Sequence, residues 1–271
     1  TENVVILSGV RTAIGVFGGS LKDIPPAKLG NIVIREAVAR AGLSVDEVEH
    51  VVMGQVIPTV PQDAYLARVA ALGAGIPDSA PALTLNRLCG SGLQAIISAA
   101  QMLKLGEAEI AVAGGAESMS RSPHYVASAR FGQKMGDIAI IDALTTTLSD
   151  PLDGYHMGIT AENVADRYQI TRADQDAAAA ESQRRASKAI AEGRFKEQIV
   201  AVEIETRKGV TIFDTDENVR AETTAEGLSQ LRPVFKKGGT VTAGNASTIN
   251  DAAAALLLAT EAAAQPRGLQ A

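Results

Sequence analysis

The first 118 residues alternate short β-rich runs with longer stretches of helical periodicity, and this alternation confines the chain to a small set of folds. VVILSG (4–9) is a β-rich run ending in glycine. PAKLGNIVIREAVARAG (26–42) sets Leu29, Ile32, Val33 and Val38 near helical spacing and stops at Gly42. Ser44 and Glu47 then fit a capping box. HVVMGQV (50–56) reads as a second strand, DAYLARVAALGAG (63–75) as a helix and PALTL (81–85) as a third strand. SGLQAIISAAQMLKLG (91–106) is apolar at 93, 96, 97, 100 and 103, the pattern of a packed helix face. EIAVAGGAE (109–117) is a fourth strand running into glycines. Such β-α-β units predict an α/β fold with a parallel or mostly parallel sheet, whose functional groups gather beyond the carboxyl ends of strands.

The composition suits that architecture. Of 271 residues 46% are hydrophobic, but only 3% are aromatic and none is Trp. The core is therefore expected to consist of Val, Ile, Leu, Met and Ala, as in buried strands covered by Ala-rich helices. The length allows one large domain or two ordinary ones. A net charge of −6 argues against a nucleic-acid partner. A lone cysteine forms no internal disulfide, and TENVVILSG lacks the pattern of a secretory signal, so the expected location is the cytoplasm. The longest purely apolar run, Ala252 to Ala259, falls well short of the ~20 residues of a membrane helix.

The pattern changes after residue 118. Residues 119–155 are irregular, GITAENVADRYQ (158–169) is helical, and Thr171 with Asp174 caps a further helix that ends at Gly193. AVEIETRKGVTIF shows strand-like alternation, and GGTVTAGNAS (238–247) suggests a turn close to a ligand or another backbone. DAAAALLLATEAAA (251–264) is helical by propensity alone, and also fits a buried strand followed by a short helix.

The sole cysteine, Cys89, lies in LTLNRLCGSGLQAI at a strand-to-helix junction. A thiolate is the attacking species, and the unpaired N–H groups of a helix N-terminus stabilise it, as they do an oxyanion on an attacked carbonyl. Gly90 and Gly92 leave the backbone open to a substrate. The arrangement suits acyl transfer from a thioester, while the local pattern alone suits a small buried apolar residue equally well. A nucleophile also needs a base. His50 reads as a surface or boundary residue, His124 as a loop residue, and His156 as either a ligand contact or a satisfied structural histidine. A single Cys supports no zinc pattern, so no metal is expected.

Five stretches together carry a family resemblance: SGVRTAIGVFGGSLKD, NRLCGSGLQAI, VAGGAESMS, YHMGITAENVA and GTVTAGNASTINDAAAA. In order and content they resemble the thiolases, above all bacterial biosynthetic-type β-ketothiolases. The resemblance implies the N-terminal half of the thiolase fold, a mixed sheet with helices on both faces, formed by 1–118 and 250–271. Residues 119–249 would be an inserted loop domain that covers coenzyme A and helps build a homotetramer. Under the resemblance Ala252 to about Ala259 is a sheet strand. Cys89 matches the cysteine that takes the acyl group from acetyl-CoA or another acyl-CoA, which is substrate rather than cofactor. His156 and Met157 match positions beside the pantetheine arm, and Ser247 a serine contacting it. Ala243, Gly244 and Ala246 would line the same slot, with Leu148 and Phe235 as apolar walls, and Arg220 matches a basic residue near the nucleotide.

The sequence also departs from the family. The GHP histidine that activates the cysteine and the second cysteine in CxGGG are both missing from these residues. The chain therefore resembles a thiolase without its C-terminal half, and little turnover is expected of it. Three other readings compete with this one. A nicotinamide-dependent oxidoreductase needs G-x-G-x-x-G after the first strand, and SGVRTAIGVFGG does not fit. A ketoacyl synthase also has a cysteine at a helix start, but HMGITAEN and GNASTINDAAAA point to thiolases. A non-catalytic coenzyme A-binding or assembly fragment is the third.

Overall fold

The computed structural model describes residues 2–270. Thr1 and Ala271, included in the expected ranges 1–118 and 250–271, lie outside the described residues. In chain order the elements are β1 (Val4–Thr12), β2 (Gly15–Val16), α1 (Pro26–Arg40), β3 (His50–Gly54), α2 (Leu66–Ala74), β4 (Ala82–Leu85), α3 (Ser91–Leu105) and β5 (Ile110–Ser118). There follow β6 (His124–Tyr125), β7 (Ile141–Asp142), α4 (Ala143–Thr147), α5 (Met157–Tyr168), α6 (Arg172–Ala191), β8 (Ile199–Val200), β9 (Val202–Thr206) and β10 (Gly209–Phe213). The last are α7 (Ala225–Ser229), β11 (Asn250–Thr260) and α8 (Glu261–Ala264).

Two compact units result. The first comprises Thr1–Arg121, Gln198–Glu217 and Asn250–Ala271; the second comprises Ser122–Glu197 and Asn218–Ile249. The expected insertion, 119–249, differs from the second unit chiefly by Gln198–Glu217. That stretch returns to the first unit because β8 pairs in parallel with β1. Two carboxylates anchor its far end. Asp216 takes both Nη1 and Nη2 of Arg11, at 2.7 and 3.0 Å, and the Ile14 N–H at 2.8 Å. Glu217 accepts the Val16 N–H at 2.8 Å and that of Ser20 at 3.2 Å.

The first unit is built on a seven-stranded sheet in the order β4-β3-β5-β11-β1-β8, with β2 also pairing β11. The sheet is mixed, as the resemblance implies, and not the mostly parallel sheet that β-α-β alternation alone suggests. β3 runs parallel to β4 and β5, but β11 runs antiparallel to β5 and β1. Alternation in sequence fixes local crossovers, and it is silent about a late strand that enters from the other end.

β3 shows how both faces are covered, since all five of its residues are buried. Val51 and Met53 join the layer formed with α1 and α2, and Val52 joins the layer formed with α3. The two-residue period thus sends successive side chains into opposite cores. β11 does the same with Leu257 and Leu258. This explains why DAAAALLLAT is a strand despite its helical propensity. Backbone ladders on both sides and burial on both faces outweigh a preference of under ~1 kcal/mol per residue. The remainder of that stretch, α8, is the short helix. Both capping boxes, at Ser44–Glu47 and Thr171–Asp174, are present. No helix among the described residues is long and apolar enough to cross a membrane.

In the second unit β6 and β7 pair as a small antiparallel hairpin ahead of α4. Gln169, in the left-handed region at φ 54°, ends α5 just before α6 starts.

Gly54, at the end of β3, sets how closely α3 approaches the sheet. A Cβ there would lie 2.7 Å from the Ser91 Cβ and 2.8–2.9 Å from its carbonyl group. Backbone offers no room to yield, so Gly54→Ala is expected to destabilise the chain by about 1–3 kcal/mol. Urea unfolding should show a lower midpoint at unchanged slope.

Candidate active site

Cys89 lies in the turn between β4 and α3, and it is exposed. The buried apolar reading of this residue therefore fails. Gly90 is the N-cap of α3, and no side chain caps that end. Gln94 N–H already bonds to the Gly90 carbonyl, whereas the N–H groups of Gly92 and Leu93 precede the first residue able to reach back within the helix. A Cβ at Gly92 would meet nothing within 4 Å, so packing inside the protein does not demand glycine there.

The turn itself is strained. Leu88 sits at φ 49°, in the left-handed region. For a residue with a Cβ this costs about 1–2 kcal/mol. Side chains on either side hold it. Asn86 Oδ1 accepts the Leu88 N–H at 2.9 Å, while Asn86 Nδ2 donates to the Val56 carbonyl at 3.1 Å. Ser91 Oγ donates to the Leu88 carbonyl at 2.6 Å and accepts the Arg87 N–H at 2.8 Å. At about 1 kcal/mol net per bond, these four outweigh the strain. Val56 is itself fixed, because Glu117 on β5 accepts the N–H groups of Val56 and Ile57 at 2.8 and 3.0 Å.

The histidines divide as follows. His50 is the first residue of β3 and buried, with Nδ1 2.8 Å from the Pro81 carbonyl; of its surface-or-boundary reading the surface half is corrected. Strand pairing to β4 and β5 draws it inside. His124 lies in β6 opposite Asp142. His156 is the N-cap of α5, and its Nδ1 accepts the Gly158 N–H at 3.0 Å. Its structural reading is thereby accounted for.

Most of the remaining site residues gather within the second unit. The His156 ring stacks on Phe235, centroids 4.8 Å apart and planes 18° from parallel. The Met157 N–H donates to the Leu148 carbonyl at 2.7 Å, closing the loop between them. Met157 is exposed, and Leu148 and Phe235 are half-buried. Gly158 is required by this packing, since a Cβ would overlap the Phe235 ring. Ala243 and Ser247 are exposed on the loop after Val241, with Gly244 and Ala246 half-buried between them. A Cβ on Gly244 would come within 2.5 Å of both Leu228 and Leu231. Arg220 is exposed, and its backbone N–H donates to Gln183 Oε1 at 2.8 Å.

Several residues that shape this surface were not read from the sequence as site residues. Glu162, buried on α5, accepts the Thr240 N–H at 2.9 Å and the Val241 N–H at 2.8 Å. Burial works to raise its carboxyl, but the N–H donors of Val241 and Thr240, the Thr240 hydroxyl and the Lys236 charge hold it below the ordinary range. Asp176, buried on α6, pairs with Arg172 at 2.7 Å and accepts from Asn245 Nδ2 at 2.9 Å. Asn245 Oδ1 in turn accepts the Thr242 N–H at 2.7 Å. Acidic residues on an amphipathic helix normally face water, so only Glu162's place inside a family-like stretch marked it.

Comparison with known proteins places these features in context. Residues 4–262 match the family described as thiolase, N-terminal domain. A beta-ketothiolase, BktB, of Cupriavidus necator is 59% identical over 271 residues, spanning 100% of this chain and 69% of that protein. The crystal structure of the Bacillus anthracis acetyl-CoA acetyltransferase superposes with a TM-score of 0.96 at 46% identity, covering 99% of this chain and 68% of that one. Human mitochondrial 3-ketoacyl-CoA thiolase in complex with CoA gives 0.95 at 39% identity, covering 99% and 67%.

Two outcomes are expected of the second unit. Glu162→Gln leaves buried N–H donors facing an amide and should lower stability by about 1–3 kcal/mol at neutral pH. Because the wild-type carboxyl is depressed, its contribution is complete above the ordinary glutamate value and is lost as pH falls through the lower folded value. Urea melts across acid pH should show that loss in the wild type and a flatter profile in Glu162→Gln. Gly158→Ala should push Phe235 off His156, read as a shift of the His156 ring-proton resonances.

Proposed function

Because this chain belongs to the thiolase family through its N-terminal domain, we propose that it transfers acyl groups between coenzyme A thioesters, with Cys89 as the residue that carries the acyl group. The observation that supports this most directly is the exposed sulfur beside the uncapped start of α3. The Cys89 thiolate attacks the carbonyl carbon of an acyl-CoA. The bond from that carbon to the coenzyme A sulfur breaks, coenzyme A leaves as the thiol carrying the proton Cys89 gave up, and the acyl group stays on Sγ. Acetyl-CoA then gives up a methyl proton, its methyl carbon bonds to the acyl carbonyl carbon as the bond to Sγ breaks, and the released Cys89 thiolate takes up the proton, leaving a 3-ketoacyl-CoA. In the reverse direction the Cys89 thiolate attacks the keto carbon, the carbon–carbon bond breaks to release acetyl-CoA, and coenzyme A then takes the acyl group from Sγ. The N–H groups at the helix start suit the developing oxyanion, each such donor being worth ~10²–10³-fold.

Within the second unit, the half-buried Leu148 and Phe235, with His156 and Met157, offer an apolar wall with one polar edge for the pantetheine arm. Ala243, Gly244 and Ala246 give the small side chains that such an arm requires, Ser247 a hydroxyl for its amides, and Arg220 a charge for the nucleotide phosphates. Coenzyme A enters as substrate, and the reaction is that of a cytoplasmic enzyme with no nucleic-acid or membrane partner.

The second unit is also the seat of self-association in this reading, as a homotetramer. Between β6 and β7 it presents Phe131 at 93% and Met135 at 86% exposure, along with Ile138 and Ile140. Large apolar side chains left exposed along one segment suit a surface that meets another protein.

Three experiments check the proposal. Mass spectrometry after exposure to acetyl-CoA should find one acetyl group on the wild type and none on Cys89→Ser; an adduct that persists in the variant rules Cys89 out. Labelling by an acyl-carrier thioester instead would favour a ketoacyl synthase, and binding of coenzyme A without labelling a non-catalytic fragment. Residues 1–271 alone, lacking the family's activating histidine and second cysteine, should turn over about 10²–10⁴-fold more slowly than an intact thiolase in the same assay. Phe131→Glu with Met135→Glu should reduce the assembly size seen by sedimentation.

A further inference from the structure

Neither hydrogen bond of the Asn86 side chain goes to Cys89 or to the helix that follows it. Its two amide atoms instead join two backbones. Oδ1 accepts the N–H of Leu88, and Nδ2 donates to the carbonyl of Val56 in the segment after β3. That segment has its own anchor in the Glu117 carboxylate, which takes the N–H groups of Val56 and Ile57. A continuous series of hydrogen bonds therefore runs from central strand β5, through Val56 and Asn86, to the residue directly before Cys89. Leu88 is also one of two residues other than glycine with positive φ among the described residues. Its carbonyl is fixed from the other side by Ser91, which is buried against Gly54.

We infer that Asn86 is a positioning residue for acyl transfer, which ties the left-handed Leu88 to the sheet and so fixes the direction of the Cys89 sulfur relative to the open N–H groups of α3. This rests on Cys89 being the acyl acceptor. A leucine released from that tether relaxes to negative φ, and the peptide joining it to Cys89 rotates with it. The thiol stays exposed and chemically competent, but its approach to a bound thioester is lost. Asn86 gives up no proton and meets no substrate; it acts through the backbone of Leu88.

The test is a double-mutant cycle in the full chain with two probes. Iodoacetamide reports whether the Cys89 thiol is available, and acetyl-CoA reports whether it is aimed. Asn86→Ala should slow acetyl transfer to Cys89 by roughly 10–100-fold, the scale of a misplacement of about 1 Å. Alkylation should change by less than about 3-fold, on the premise that a small reagent needs no fixed approach direction. In the Leu88→Gly background, where positive φ is intrinsic, the same Asn86→Ala change should cost less than about 3-fold in acetyl transfer. That coupling is what a merely structural asparagine would not produce. Equal acetyl transfer by wild type and Asn86→Ala overturns the positioning role and leaves the acyl-acceptor assignment intact. An equal loss in both backgrounds, or a parallel fall in alkylation, overturns it as well. Failure of the alkylation-competent wild type to accept acetyl groups removes the acyl-acceptor assignment, and the inference with it.

Discussion

From Asn250 to Thr260, β11 shares backbone hydrogen bonds with β5 on one side and β1 on the other. Everything else in the first unit depends on this double ladder. It joins the start of the chain to its last long strand, as in the pairing of Val4 with Thr260. It also places alternate residues of an Ala- and Leu-rich run in the two cores that α1, α2 and α3 complete. Small side chains make the fit work: Ala254 and Ala255 face Gly115 and Gly114 across the ladder, and a Cβ on Gly114 would overlap the Ala254 carbonyl. With the sheet fixed in this way, the carboxyl ends of β3, β4 and β5 become a rigid platform for the loops beyond them.

The nucleophile's turn draws on that platform. Leu88 accepts an unfavourable backbone conformation and Cys89 stays in solvent, both costs for folding. They are offset by hydrogen bonds that lead back to β5 through Asn86, Val56 and Glu117. Glu117 is held at some expense too. Burial pushes its carboxyl above the ordinary range despite the pull of the Val56 and Ile57 N–H donors, and Asp63 adds to the rise. Strain concentrated where a reactive side chain is presented, with support from a rigid element, is a common arrangement of functional sites.

The second unit solves a different problem with similar means. Its helices are largely polar, and its order comes from buried acids that bind backbone or side-chain donors rather than from a large apolar core. Glu162 ties α5 to Thr240 and Val241, and Asp176 ties α6 to Asn245. These bonds hold the loop bearing Ala243, Gly244, Ala246 and Ser247, while the His156–Phe235 stack fixes the start of α5. His156 serves in both respects: Nδ1 caps a helix, and the ring face packs against an aromatic.

The sequence by itself determined the elements whose cause is local. The helices of 26–42, 91–106 and 158–169 follow from apolar spacing and glycine stops. The caps at Ser44 and Thr171 follow from side chains three residues from their partners, and Cys89 stood out as the only thiol, at a junction two local patterns define. Tertiary structure alone decided what needed distant partners. It chose strand over helix for Asn250–Thr260, where propensity and the family resemblance pointed apart, ran that strand antiparallel to its neighbours, buried His50 and returned Gln198–Glu217 to the first unit. It also gave Asn86 and Glu162 backbone groups to hold, and Asp176 the side chains of Arg172 and Asn245. The reason is physical: propensity and capping act over a few residues, whereas ladders and buried polar contacts form only when segments far apart in sequence meet. No local pattern records which segments will meet.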